Sequence, residues 1–114
     1  MFYEEYDPAG LTRVRHIERH ARDIPDRDGP HGVFDGGPSV AFAVIDEAWK
    51  IAEKKRLRAK SEGDRSLYNV SMERRVGYLG GRVGARKRHP PLRTVQIVFE
   101  TGTKNIVTAF PKER

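Results

Sequence analysis

His16 and His20 stand four residues apart, so on a helix their imidazoles share one side. Further along, Gly80, Gly81 and Gly84 sit among Arg82, Arg86, Lys87, Arg88 and His89, and Thr108 stands in an apolar stretch near the end. An imidazole exchanges protons near neutral pH, because its reference pKa is about 6.5. Arginine and lysine hold phosphate, and a hydroxyl adds a hydrogen bond where charge develops. These groups suit metal-free cleavage of RNA. A base takes the 2′-OH proton, an acid protonates the departing 5′ oxygen, and cations steady the phosphorane between them. Spacing does not say which histidine is base and which is acid. Ordinary exposed helix residues are the competing reading of His16 and His20, and a strand threonine bonded to backbone is the competing reading of Thr108.

Other chemistries fit less well. His16 and His20 could form half a zinc site, with His31, His89 or an acidic residue as third ligand. Ile17 stands where the H-E-x-x-H motif has its glutamate, so no metal is expected. The glycines follow a strand-like segment, but no Gly-Lys-Ser/Thr is present. Arg88-His89-Pro90-Pro91 leads us to expect no helix after them, which removes the dinucleotide and P-loop readings. The chain has no cysteine, which excludes a disulfide, a thiol nucleophile and an iron–sulfur cluster. No cofactor is expected.

The elements that must position these groups can be read from periodicity. Met1 to Tyr6 reads as a leader. Asp7-Pro8 can start a helix, whose apolar face would be Leu11, Val14, Ile17 and Ala21 and whose end falls before Pro25. Ile24 to Pro38 reads as a long Gly/Pro/Asp-rich loop pinned by Val33 and Phe34. Ser39 is the expected N-cap of a second helix, with Phe42, Ile45, Ala48, Trp49 and Ala52 facing the core and a basic end from Lys50 to Lys60. Ser61 to Ser66 reads as a turn. Leu67 to Met72 reads as a strand with Tyr68, Val70 and Met72 on one face, and Val76 to Leu79 as a second short strand or the continuation of the first. Val95, Ile97 and Phe99 alternate in a third strand. Glu100 to Lys104 turns around Gly102, and Asn105 to Phe110 returns to a stop at Pro111.

Helices first and strands after give an α+β fold, with two N-terminal helices packed on a three- to four-stranded antiparallel sheet. One domain is expected over residues 1–114, with a leader at 1–6, a helical part at 7–60 and a sheet at 66–111. At 114 residues and 37% hydrophobic composition the chain can bury one modest core. A net charge of +6 and a pI near 9.9 make nucleic acid a serious partner. No apolar run is long enough to span a membrane. The acidic, aromatic start MFYEEYDPAG is not a signal peptide, so an exported form is expected to carry its signal on a longer parent chain.

The order of short motifs adds a family resemblance. HIERH (His16–His20), HGVF (His31–Phe34), IDEAW (Ile45–Trp49), VGYLGG (Val76–Gly81) and IVTAFP (Ile106–Pro111) together resemble the C-terminal ribonuclease domains of bacterial polymorphic and contact-dependent growth inhibition toxins. The closing strand is similar to that of the barnase, EndoU, colicin and RelE grouping. It is similar too to that of bacterial RNase A-like toxin domains, and the two are not separable on these residues. The resemblance runs from about Arg15 to Pro111. It implies a secreted, metal-independent endoribonuclease, delivered as part of a larger effector into the cytoplasm of a competitor cell. An acidic cognate immunity protein would neutralise it; otherwise the domain is expected to be a monomer. The implied catalytic residues are His16 or His20 together with Thr108. Phosphate contacts fall among Arg19, Arg75, Arg82, Arg86 and Lys87, with no single arginine selected. Many relatives carry tyrosine where Phe110 stands, so either Tyr78 or Tyr68 substitutes for the missing phenol or none is needed, and His31 is a further candidate. Two rival functions remain open: a non-catalytic RNA- or ribosome-binding module, and a toxin acting on another substrate such as DNA or a nucleotide cofactor.

Overall fold

The structure, a computed structural model, describes residues 17, 18, 21, 23, 31–103 and 105–113. Its elements run β1 (His31–Phe34), α1 (Gly37–Lys54), β2 (Lys60–Glu62), β3 (Arg65–Ser71), β4 (Gly77–Gly80), α2 (Gly81–Arg86), β5 (Pro91–Leu92), β6 (Thr94–Glu100) and β7 (Ile106–Lys112). The fold is α+β. The strands form two antiparallel sheets, one of three strands in the order β1-β4-β5 and one of four in the order β2-β3-β6-β7. No described helix is long and apolar enough to cross a membrane.

α1 is the one main helix among the described residues. Its buried residues Ala41, Val44, Ile45, Ala48 and Ala52 recur at the helical period, and small alanines let the axis come close to the sheet. The stripe shares one core with Val70 of β3, Met72 just after it, Val95, Ile97 and Phe99 of β6, and Ile106 and Ala109 of β7. Trp49 is a core anchor, as expected. It makes edge-to-face contacts with Tyr68 and Phe99 at centroid distances of 5.2 and 5.0 Å. Each large apolar side chain buried here contributes about 1.5–3 kcal/mol. The N-terminal cap differs from the expectation. Gly36, at φ 87°, occupies it instead of Ser39, and Pro38 sits in the first turn, where its missing N–H costs no helical bond.

Several other expectations are corrected. Two N-terminal helices are not supported. Of the expected first helix, only Ile17 and Glu18 (helical), Ala21 (in a 3-10 turn) and Asp23 are described. Ile17 and Ala21 do join the core, as their spacing implied. The long loop contains a strand: His31–Phe34 pairs with Gly77–Gly80, so a strand interrupts the expected loop within the helical part. Lys60–Glu62 forms a short edge strand, which confines the turn to Gly63-Asp64. Six residues fit as α2 between Gly80 and the stop at Arg88-His89-Pro90-Pro91, so a helix does follow the glycines. Pro111 lies inside β7, opposite Val95, and does not end the strand. β7 is the last strand of its sheet, where proline is tolerated.

The two sheets meet at glycines. A Cβ on Gly32 would lie 1.8 Å from the Pro111 carbonyl oxygen, and one on Gly77 would lie 2.8 Å from Pro111 Cγ, both in the other sheet. Backbones can approach this closely only where there is no side chain.

Candidate functional site

β4 carries Tyr78 on the face that also bears Val33 and His31 of β1, since directly paired residues share a face. α2 follows at once and must then reverse so that β5 can pair with β4. The reversal uses left-handed backbone at two consecutive non-glycine residues, Arg88 (φ 62°) and His89 (φ 50°). Each such residue costs of order 1–3 kcal/mol unless its surroundings hold it. Three bonds hold this pair. The His89 N–H donates to the Gly84 carbonyl at 2.7 Å, the Leu79 N–H donates to the Pro90 carbonyl at 2.9 Å, and His89 Nδ1 bonds the Leu79 carbonyl at 3.0 Å. A carbonyl can only accept, so Nδ1 carries the proton. In the neutral ring Nε2 is then the basic nitrogen.

The His89 ring meets Tyr78 edge-on, with centroids 5.5 Å apart. Arg75 lies 5.9 Å from the centre of the Tyr78 ring and donates through Nε and Nη2 to both oxygens of Asp35, at 2.9 and 3.1 Å. Exposed ion pairs add little stability, so the value of this one is geometric: the fork fixes the guanidinium plane. Burial pushes the Tyr78 phenol above the ordinary tyrosine range. The Asp23 and Asp35 carboxylates push the same way, and Arg75 partly opposes them. Tyr78 therefore stays protonated at neutral pH and can donate a hydrogen bond. Asp35, through its hydrogen bond first and its charge second, raises the Arg75 pKa above the ordinary arginine value. Asp23 accepts from the Gly81 N–H at 2.8 Å and so ties the N-terminal segment to the start of α2.

The structure brings Arg75 and Tyr78 together and places Arg82, Arg86 and Lys87 on or just after the adjoining helix, where all three are exposed. His31 is also on this sheet but is 1% exposed, opposite Gly80, and cannot meet a substrate as it stands. His16, His20 and Arg19 lie outside the described residues. In the sequence His89 was legible as a member of a basic loop and as a possible third zinc ligand, not as a proton acceptor. Its signal was the clash between a helix-competent run and Pro90-Pro91, which forces a sharp reversal at that residue.

Thr108 stands elsewhere, opposite Val98 in the four-stranded sheet and beside a bulge between Val98 and Phe99. Val95, Ile97 and Phe99 face α1, so Thr108 belongs to the opposite face. Its Oγ1 is buried without a hydrogen-bond partner among the described residues. Leaving such a group unpaired costs about 1–3 kcal/mol. Thr108→Val, which removes the hydroxyl and keeps the branch, is therefore expected to raise the unfolding free energy by about 1 kcal/mol. Urea denaturation would read this as a higher midpoint at an unchanged slope, and a lower midpoint would contradict it.

Compared with family models, curated proteins and solved structures, the chain matches none of them.

Proposed function

We propose that this chain is a metal-independent endoribonuclease, the toxic domain of a larger effector acting in the cytoplasm of competitor bacteria. The observation that carries the reading is the Tyr78–His89 pair beside Arg75: an imidazole with a set tautomer, a phenol kept protonated and a fixed guanidinium in one cluster. His89 Nε2 takes the proton from a ribose 2′-OH, and the 2′ oxygen attacks the neighbouring phosphorus. The bond from phosphorus to the 5′ oxygen breaks, and that oxygen receives a proton from His16 or His20. The products are a 2′,3′-cyclic phosphate and a free 5′-OH. Tyr78 and Arg75 hold the phosphoryl oxygens, and Arg82, Arg86, Lys87 and Arg19 attract the RNA backbone; the buried Thr108 hydroxyl takes no part.

The resemblance of the motif order to polymorphic-toxin ribonuclease domains supports the biological setting. An acidic immunity protein covering α2 would block RNA entry, and complementary charge would speed its association. The test is incubation of purified protein with tRNA and total RNA in EDTA. The expected result is fragments ending in 2′,3′-cyclic phosphate. Intact RNA beside folded protein would overturn the enzymatic reading. Salt-dependent retention of uncut RNA would then identify a non-catalytic binding module.

A further inference from the structure

The face of the four-stranded sheet opposite α1 carries a second set of polar groups with no part in the Tyr78–His89 cluster. Directly paired residues form rows across β3, β6 and β7. Asn69, Gln96 and Phe110 make one row, and Ser71, Thr94 and Lys112 make the next. Strands lie about 4.8 Å apart and successive same-face residues about 7 Å apart, so the two rows outline a patch of nucleotide size. A cavity of about 260 Å³ opens there between Asn69, Ser71, Thr94 and Lys112. Lys112 Nζ donates to Gln96 Oε1 at 3.2 Å, which orients the amide and leaves the two amide N–H groups of Gln96 as donors. Neither row contains a carboxylate.

We infer that this patch is a nucleotide-recognition subsite for one unpaired residue of an RNA strand. The Asn69 amide presents a donor and an acceptor, and the Gln96 amide adds its two N–H donors, a pattern that reads a base edge. The exposed Ser71 hydroxyl can meet the ribose, Thr94 lines the same cavity, and Lys112 supplies the charge for the phosphate. The inference rests on the RNA reading above but uses different residues, so the two can fail separately.

The test is titration of the unmodified protein with each of the four ribonucleoside 3′-monophosphates and with inorganic phosphate, followed through the side-chain amide resonances of Asn69 and Gln96. Expected are saturable shifts at both amides that differ between bases, with the Asn69 amide unmoved by inorganic phosphate. The double variant Asn69→Ala and Gln96→Ala should weaken the preferred nucleotide by about tenfold to a hundredfold and alter the base preference of RNA cleavage. Equal shifts with inorganic phosphate would reduce the patch to an anion contact and overturn the inference. So would cleavage of RNA with unchanged base preference in the double variant. Base-dependent binding by a protein that cuts no RNA would uphold the subsite and overturn the ribonuclease reading instead.

Discussion

His89→Asn is expected to lose RNA cleavage by a factor of roughly 10²–10⁴ while keeping the fold. Asparagine is chosen because it tolerates the left-handed conformation at φ 50° and can still donate from its amide to the Leu79 carbonyl. The reversal into β5 and its bonds to Gly84 and Leu79 can therefore survive, and only the proton-accepting Nε2 is lost. His89→Ala gives up that side-chain bond as well, so any difference in melting temperature between the two variants measures the clasp and not the chemistry. Single-turnover cleavage with the protein in excess is the suitable assay, because it isolates the chemical step from product release. A His89→Asn variant that cleaves at the rate of the unmodified protein would remove His89 from the mechanism. His16→Ala and His20→Ala, assayed beside it, identify which histidine supplies the second proton.

Gly84→Ala is expected to destabilise the domain, although helix propensity points the other way. Gly84 sits within α2, where alanine is favoured over glycine by about 1 kcal/mol. Its Cβ, however, would lie 2.1 Å from the Leu79 carbonyl oxygen and 2.4 Å from the carbon. Both atoms are backbone of β4, which is held on each side by β1 and β5, so no flexible side chain can give way. Overpacking of this kind costs more than propensity returns. A net loss of about 2–3 kcal/mol is expected, a fall in melting temperature of roughly 10 °C. The displaced carbonyl is the one that bonds His89 Nδ1, so cleavage should fall further than the folded fraction alone accounts for. A stability equal to or above that of the unmodified protein would show that α2 packs more loosely against β4.

These two variants also mark where sequence reasoning stops. Local patterns were enough to find the α+β class, the apolar stripe of α1, the Tyr68–Met72 face, the final hairpin and the place of Ile17 and Ala21 in the core. Each of these follows from a period of 3.6 or 2 in the side chains, and burial selects for that period whatever the neighbouring element is. The strand at His31–Phe34 was hidden because four residues beside glycines and prolines carry no period of their own. Its existence depends on Gly77–Gly80, more than forty positions away, to pair with it. The same holds for Pro111, which can lie within β7 because that strand ends its sheet. The chain by itself named Arg75, Tyr78 and Thr108 as residues able to do chemistry. It did not show that Tyr78 meets His89 or that Arg75 is fixed by Asp35, nor that Thr108 faces away from α1. Those facts come from long-range backbone pairing and from close approach at glycine, which no local window of residues contains.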